Sequence, residues 1–324
     1  MSISEFDLIQ RFFDRKKPNR ADVIRGIGDD GALLQCPAGQ QLVVTTDTLV
    51  AGKHFPENTP PGDISYKSLS VNLSDLAAMG AEPSWILLAL TLPIADESWL
   101  KEFTQDFFSL LDRFQCQLVG GDITQGPLSI TIQALGFVPI GKALCRSGAK
   151  LGDKIYVTGT LGDAGLALAY LQNKTSFPFT EKQIQFLKKR LQRPEPRVVV
   201  GLALRDIASS AIDISDGLAA DLSHILSAST VGAKIDVSKL PLSDTLQKLS
   251  PEKGYQFALS AGDDYELCFT VAESQEAQLQ HCLKGIECPY TYIGMIKQEL
   301  GLSLYGADGL LFSLKKSGFQ HFYN

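Results

Sequence analysis

Short apolar runs rich in β-branched residues alternate with stretches of helical periodicity along the whole sequence, a pattern typical of a mixed α/β chain. Residues 40–50 (QQLVVTTDTLV) predict a strand that ends at the Thr-Thr-Asp of residues 45–47. Residues 85–95 predict a buried strand, and residues 116–139 predict two strands that flank a Gly-Gly-Asp turn. The fold class expected from these runs is α/β (α+β).

Helical stretches lie between the predicted strands. Residues 63–80 place apolar side chains at helical spacing, with Asp63 or Ser65 as the N-terminal cap and Gly80 as the stop. Residues 97–114 predict an amphipathic helix. The first 17 residues also predict an amphipathic helix rather than a secretory signal, because acids precede the bases and no continuous apolar run is present.

Two domains are expected because 324 residues are many for one hydrophobic core. Glycines and basic residues cluster just after Gly141 between two apolar strands, which places the boundary there. We therefore expect an N-terminal domain of residues 1–140 and a C-terminal α/β domain of residues 141–324. A strand, a turn and a helix are again predicted at residues 211–226, AIDISDGLAADLSHIL.

Composition argues against several classes of protein. The net charge is −6 and no basic run is present, which disfavours nucleic-acid binding. The most apolar stretch is about half the length of a membrane span and is interrupted by Pro93, so no membrane association is expected. Six cysteines without a C-x-x-C pair match neither a disulfide framework nor a thiolate zinc site, which predicts a cytoplasmic protein.

The segment RGIGDDGALL, residues 25–34, contains a literal G-x-G-x-x-G. A dinucleotide-binding loop should open a helix, whereas a strand and a Pro-Gly turn are expected after this segment. Asp29 and Asp30 would also repel a pyrophosphate, but would attract divalent cations. The motif therefore favours a metal site, with an ordinary glycine turn as the alternative.

Further aspartates have small or apolar neighbours, which predicts that they are buried: Asp47, Asp75, Asp122, Asp213 and Asp216. Several buried carboxylates tolerate one another only with cations between them, and oxygen ligands favour Mg²⁺, Mn²⁺ or Ca²⁺ over zinc. Mg²⁺ usually bridges carboxylates to substrate phosphates, so the set predicts phosphoryl transfer without a nucleophilic side chain. For any single aspartate, a cap or turn former is an equally good interpretation.

Motifs in order along nearly the whole chain resemble those of the thiamine-monophosphate kinase family: GIGDDGALL, TTDTLVAGKHF, VNLSDLAAMGAEP, GGDITQGP, RSGAKLGD, VTGTLGDAG, the P-x-P-R helix start, IDISDGLAADLSHI, GDDYELCFT and SGFQHF. That family belongs to the superfamily of phosphoribosyl-aminoimidazole synthetase-like, ATP-using enzymes. The resemblance implies a two-domain fold of the aminoimidazole-ribonucleotide-synthetase type. It also implies a homodimer whose N-terminal sheets associate into a barrel, with the nucleotide near that interface.

The resemblance also implies roles for individual residues. Several Mg²⁺ ions are expected at Asp30, Thr45, Thr46, Asp47, Asp75, Asp122, Asp213 and Asp216. Catalytic importance is expected of Asp30, Asp75, Asp122 and Asp216. ATP contacts are expected at Gly121, Asp122, Arg146 and Ser215, and thiamine-phosphate contacts at His54, Asp263 and Phe319. Taken alone, Arg146 could be solvated, Phe319 could be core packing, and His54 could cap a loop.

One motif departs from the family pattern, Gly-Gly-Glu-Asp-Tyr-Glu-Leu. Here Ala261 and Asp263 replace the first Gly and the Glu. Asp263 is one methylene shorter, so a direct substrate contact could become water-mediated. Ala261 requires that its position not need a positive φ. Both departures fall in the motif to which the resemblance assigns a substrate contact.

The expected reaction is ATP-dependent phosphorylation of thiamine monophosphate to thiamine diphosphate by direct in-line transfer, the last step of thiamine diphosphate biosynthesis. Two alternatives remain: another ATP-using synthetase of the superfamily, and a non-catalytic sensor of metal and nucleotide. The sequence ends in HFYN without a reactive cysteine, which disfavours the selenium- and hydrogenase-related synthetases. The intact set of acids disfavours a sensor that has lost its activity.

Overall fold

A computed structural model describes residues 4–15, 20–315 and 317–319. The chain divides into two compact units. The first contains residues 1–76 and 81–141, and the second contains residues 77–80 and 142–324. The last residues of the SGFQHF motif and the HFYN terminus lie outside the described residues.

The first unit begins with a short helix, α1 (Glu5–Leu8), continued by a π-helical segment (Ile9–Phe13). Its remaining helices are α2 (Pro61–Ala78) and α3 (Glu97–Arg113). Its strands are β1 (Val23–Arg25), β2 (Leu33–Leu34), β3 (Gln40–Val50), β4 (Glu82–Leu92), β5 (Gln117–Gln125) and β6 (Ser129–Pro139). Strands β3, β6, β4 and β5 pair in that order, antiparallel except for the parallel β4–β5 pair, and β1 pairs with β2.

Several boundaries in this unit differ from the sequence-based expectation, and β4 spans Glu82–Leu92 rather than residues 85–95. Strand β3 does not end at residues 45–47 but continues to Val50, because its polar half still pairs with β6. The Gly-Gly-Asp sequence lies inside β5 rather than in a turn, and the turn follows at Gly126. Helix α2 begins at Pro61, so neither Asp63 nor Ser65 is its cap. Gly80 (φ 61°) follows the helix as predicted.

The second unit contains six helices within its described residues: α4 (Asp163–Leu171), α5 (Glu181–Gln192), α6 (Val198–Ala203), α7 (Leu218–Ser229), α8 (Pro251–Ser260) and α9 (Glu276–Cys282). Its strands are β7 (Lys154–Thr158), β8 (Ala208–Asp213), β9 (Gly232–Asp236), β10 (Leu267–Val271), β11 (Tyr290–Lys297) and β12 (Gly301–Tyr305). They form a mixed sheet in the order β12, β9, β11, β7, β10, β8. Apolar residues of the sheet, α7 and α8 pack into one core.

The buried segments agree with the sequence pattern. Leu69, Leu73 and Leu76 of α2 are fully buried, and Trp85 of β4 packs edge-on against Phe137 in the core of the first unit. The six cysteines are all free thiols, as their spacing predicts. Among the described residues, no helix is both long and apolar enough to cross a membrane. The mixed α/β fold with two units is confirmed.

Candidate active site

A cavity of about 670 Å³ in the first unit brings together parts of two predicted motifs. Gly28–Ala32 forms one wall and Gly120–Ile123 forms another. Phe6, Ile9 and Phe13 of the N-terminal helical segment add an apolar wall. Cavities of this size and mixed character are typical of nucleotide-sized ligands. The structure therefore brings Asp30, Gly121 and Asp122, all predicted from the sequence, to one cavity.

Gly121 is a position where only glycine fits. Its φ is 153°, and a Cβ atom there would lie 1.9 Å from the backbone oxygen of Leu88 on the neighbouring parallel strand. The missing side chain lets β5 pair closely with β4 while its backbone borders the cavity. Such an arrangement leaves backbone groups accessible to a ligand.

A second cluster joins β3 to α2. The Thr45 hydroxyl donates a short hydrogen bond to the Asp75 carboxylate. Burial, together with the nearby negative charge of Asp75, raises the pKa of Asp47 to about 6. Two carboxyl groups that crowd each other in this way make the cluster attractive to a cation. The structure thus brings together three of the predicted metal ligands of the first unit.

The remaining predicted ligands of the first unit lie elsewhere on the sheet. Across the sheet, Asp47 on β3 lies in one row with its paired residues on β6 and β4 and with Gly121 on β5. Asp122 is the next residue along β5. Adjacent residues of a strand point to opposite faces, so Asp122 lies on the face opposite Asp47. Thr45 shares the face of Asp47, and Thr46 shares that of Asp122. Strands β3 and β5 are also three strand spacings apart, about 14 Å.

The expectation of burial is wrong for Asp122, which is exposed because it lies on the solvent-facing side of the sheet; Asp30, on its loop, is exposed as well. Three others are only half-buried: Asp47, Asp75 and Asp216. Asp213, at the end of β8, is buried. Among residues 4–15, 20–315 and 317–319, no three His, Cys, Asp or Glu side chains gather where they could hold one metal ion.

The donor chemistry nevertheless fits Mg²⁺. Oxygen atoms of carboxylates and hydroxyls make up the predicted ligand set, and these are the ligands that Mg²⁺ prefers. Mg²⁺ retains several waters and is usually held by one or two carboxylates together with substrate phosphates. The Thr45–Asp47–Asp75 cluster and the Asp30–Asp122 cavity each supply a pair of carboxylates for that purpose.

His54 lies in the loop after β3, and its ring orientation is fixed by the backbone. The Val50 N–H donates to His54 Nδ1 at 3.0 Å, so the proton of the neutral imidazole is on Nε2. The buried ammonium of Lys67 on α2 donates to the His54 carbonyl at 3.4 Å. His54 is half-buried and holds its loop in place, while Nε2–H is a donor suited to a phosphate oxygen.

The second unit brings four of its predicted residues to one turn after β8. Ser215 and Asp216 form the turn itself. The Asp263 N–H donates to the Ser215 carbonyl at 2.8 Å, and the Phe319 N–H donates to the Asp216 carbonyl at 3.0 Å. Phe319 is 46% exposed and is therefore not core packing. Residues assigned to ATP and residues assigned to the substrate thus share one backbone scaffold.

The two departures from the family motif fit their local geometry. Ala261 has a φ of −87°, so its position does not require glycine, and its methyl group lies where a side chain at Gly165 would be. Asp263 has a φ of 61°, a left-handed conformation that aspartate tolerates better than most residues. Its shorter side chain is therefore compatible with the backbone conformation found there.

Arg146 follows the boundary between the units and is exposed. Its backbone carbonyl accepts a hydrogen bond from the Ser229 hydroxyl at 3.3 Å, and the same hydroxyl accepts the N–H groups of Gly148 and Ala149 at 3.1 Å each. The segment is thereby tied to the end of α7 while the guanidinium group reaches solvent. This is suitable for a phosphate contact.

Two features of the second unit escaped the sequence reasoning. Glu266 is fully buried and receives two hydrogen bonds of 2.6 Å from Arg197, the arginine of the P-x-P-R motif, and others from Arg190 and Thr158. Burial alone would raise the pKa of Glu266, but these partners hold it below its ordinary value. Asp221 on α7 binds the turn at Ser215. In the sequence, the one indication of this contact with the turn is the position of Asp221 five residues after Asp216.

Comparison with known proteins identifies the family. Residues 28–138 match the family model of the AIR synthase related protein N-terminal domain, and residues 150–306 match that of its C-terminal domain. A thiamine-monophosphate kinase of Escherichia coli (strain K12) is 51% identical over 323 residues, covering 99% of each chain. The chain belongs to the thiamine-monophosphate kinase family. As a member of that family it is a kinase, and the resemblance noted in its motifs is confirmed.

Solved structures of thiamine-monophosphate kinases share the fold. The kinase of Stenotrophomonas maltophilia K279a is 48% identical, with a TM-score of 0.83 and coverage of 90% of this chain and 92% of that one. AaThiL complexed with AMPPCP and TMP is 30% identical, with a TM-score of 0.76 and coverage of 98% and 96%. These matches extend over both units. They argue against the alternative that the chain is another synthetase of the superfamily.

Proposed function

We propose that the protein transfers the γ-phosphoryl group of ATP directly to the phosphate of thiamine monophosphate, giving ADP and thiamine diphosphate, the last step of thiamine diphosphate biosynthesis. Within the structure, the observation that carries this proposal is the cavity where Asp30, Gly121 and Asp122 meet an apolar wall. An apolar wall suits a nucleobase, and backbone and carboxylate groups suit metal-bound phosphates.

ATP-binding roles are proposed for residues of each unit. In the first unit, Gly121 offers backbone groups beside the cavity and Asp122 offers a carboxylate. In the second unit, we assign phosphate contacts to Arg146 and Ser215. An arginine can bind phosphate through two parallel N–H groups, and the Ser215 hydroxyl adds a neutral donor.

The predicted aspartates, Thr45 and Thr46 would hold several Mg²⁺ ions in the working enzyme. Those ions would neutralise charge on the two phosphate groups, which otherwise repel each other. The attacking phosphate oxygen is already an anion at neutral pH, so no strong general base is needed. Asp30, Asp75, Asp122 and Asp216 therefore act by binding and orientation rather than by removing a proton.

The substrate-binding roles fall to three residues. His54 presents Nε2–H as a donor for the phosphate of thiamine monophosphate, because its Nδ1 is already occupied by the backbone. Phe319 presents a partly exposed aromatic face to the cationic thiazolium ring. Asp263 shares a hydrogen-bonded scaffold with Phe319, because the backbone N–H groups of both residues bind the turn at Ser215 and Asp216. We assign it a polar contact with the substrate.

The activity is tested directly. Purified protein incubated with ATP, Mg²⁺ and thiamine monophosphate is expected to produce thiamine diphosphate and ADP in equal amounts, measured by liquid chromatography. Thiamine replaces the substrate in one control, and EDTA replaces Mg²⁺ in another; neither should yield product. Nucleotide binding without any thiamine diphosphate would instead identify the protein as the non-catalytic sensor.

We also propose a homodimer formed through β3. Strand β3 lies at one edge of its sheet and is 11 residues long. Leu42 and Val44 are 43% and 50% exposed on it. A long edge strand with exposed apolar side chains is a template for pairing with another chain, and a second copy would cover the exposed edge. Association of two such sheets would give the barrel implied by the family. The reduced thiols and the use of ATP support a cytoplasmic location.

The dimer proposal predicts a specific response to charge on β3. Val44→Lys is expected to convert a dimer into a monomer in light scattering coupled to size-exclusion chromatography, because it replaces an exposed apolar side chain on the pairing strand with a charged one. Ile94→Lys introduces the same charge at a residue that is 67% exposed and outside β3, and should leave the dimer intact. A monomeric wild-type protein at micromolar concentration would contradict the proposal.

A further inference from the structure

A single carboxylate oxygen organises the turn that carries Ser215 and Asp216. Oδ2 of Asp221 accepts three backbone N–H groups in succession, from Ser215 at 3.0 Å, Asp216 at 3.0 Å and Gly217 at 3.1 Å. Asp221 is only 3% exposed. Burial and the nearby charge of Asp216 raise the pKa of Asp221 to about 7, but one carboxyl oxygen can accept the three N–H groups whether or not the other carries a proton. The three bonds therefore fix the backbone of the turn firmly.

The carbonyl groups of the same turn point away from Asp221 and bind two other segments. The carbonyl of Ser215 accepts the Asp263 N–H at 2.8 Å, and the carbonyl of Asp216 accepts the Phe319 N–H at 3.0 Å. The contacts are too close for side chains: a Cβ atom at Gly262 would lie 2.5 Å from the Ser215 oxygen. A shift of the turn would therefore be passed directly to Asp263 and Phe319.

This arrangement differs from an ordinary helix cap. Helix α7 begins at Leu218, and its N-cap residue Gly217 makes no side-chain capping bond. Asp221 lies in the first turn of α7 but reaches back to N–H groups that precede the helix. Two of its three donors belong to residues with assigned ligand roles. Capping the helix alone would not require these bonds.

We infer that Asp221 is a positioning residue which aligns the ATP- and metal-binding side chains of the β8–α7 turn with the substrate-binding residues Asp263 and Phe319. The inference rests on the proposed roles of those residues. Asp221 touches neither substrate in this scheme. It acts through the backbone of the turn, so its loss should impair binding of both substrates together.

The test compares Asp221→Ala with Leu222→Ala. Steady-state kinetics are measured well below the melting temperature of each variant. Leu222 is the next residue of α7 and is fully buried, so its truncation destabilises the same helix without touching the turn. Asp221→Ala is expected to raise KM for both Mg·ATP and thiamine monophosphate about tenfold or more, whereas Leu222→Ala should leave both within about twofold of the wild type.

Asp221→Asn provides the second variant, because it retains an acceptor oxygen in a side chain of the same shape but replaces the carboxyl group with a neutral amide. It should give a smaller increase, about threefold to tenfold, again in both KM values. If Asp221→Ala does not fold, the comparison of Asp221→Asn with Leu222→Ala decides. Equal KM values for Leu222→Ala and the folded Asp221 variants would overturn the inference, because Asp221 would then serve stability alone.

Two further variants separate this inference from the assigned ligand roles. Ser215→Ala is expected to raise KM for Mg·ATP alone, and Phe319→Ala to raise KM for thiamine monophosphate alone. If both variants retain wild-type KM values, the assigned roles fail, and so does the inference that depends on them. If both respond as expected while the Asp221 variants match Leu222→Ala, only the role of Asp221 is wrong.

Discussion

Asp75→Asn is expected to lower kcat about a thousandfold while the protein remains folded, a loss comparable to removing a major electrostatic contribution to a transition state. Asp75 accepts the Thr45 hydroxyl, and its negative charge acts on Asp47, so it lies at the centre of the β3–α2 cluster. An asparagine keeps the shape but removes the charge that would hold Mg²⁺. Turnover at saturating Mg²⁺ and ATP, together with thermal unfolding, provides the measurement.

The matched control is Glu102→Gln on the exposed surface of α3, which makes the same change of charge in the same unit. It should retain wild-type turnover. The melting temperature of Asp75→Asn should be unchanged or slightly higher without metal, because crowding of the two carboxylates is relieved. Near-wild-type turnover of Asp75→Asn would eliminate the proposed role of the cluster in catalysis.

Arg197→Met should lower the free energy of unfolding of the second unit by about 3 kcal/mol or more, because it leaves the buried carboxylate of Glu266 without its strongest partner. For a unit of this size, such a loss corresponds to a decrease in melting temperature of about 10 °C. Arg197→Met combined with Glu266→Gln should recover part of the loss. Differential scanning calorimetry of the wild type, Arg197→Met and the double variant would measure these changes in stability.

Lys239→Met provides the surface comparison. Lys239 pairs with Asp236 at 3.6 Å, and both side chains are substantially exposed, so its loss should cost less than about 1 kcal/mol. The effect of Arg197→Met also depends on pH. The partners of Glu266 lower its folded pKa below the ordinary 4.5, so their contribution is present above that pH and is lost as pH falls further. If the destabilisation caused by Arg197→Met were the same at every pH down to 3, this assignment would be contradicted.

The sequence predicted the strands and helices well where burial alone determines them. The leucines of α2 and the apolar run of β4 follow the periodicities of a buried helix and a buried strand. The end of β3 was wrong because Thr46 and Asp47 are polar, although pairing with β6 extends the strand through them. Strand pairing is a tertiary property that no local pattern of residues records.

In the candidate site too, the sequence identified residues, whereas their contacts and exposure depend on tertiary structure. Asp30 and Asp122 were identified as ligands from their glycine-rich motifs, but their exposure depends on which face of the sheet and which loop they occupy. The three N–H groups bound by Asp221 depend on the path of the backbone before α7. The pair of Arg197 and Glu266 joins residues 69 positions apart, a separation beyond the reach of motif spacing.

Strand β3 carries Thr45 and Asp47 on one face and is also an edge strand of its sheet. If pairing with a second chain there strengthens Mg²⁺ binding, the ion strengthens pairing by the same factor, because the two equilibria are linked. Specific activity would then decline when the enzyme is diluted below its dissociation constant. Added magnesium would shift that decline to lower enzyme concentration.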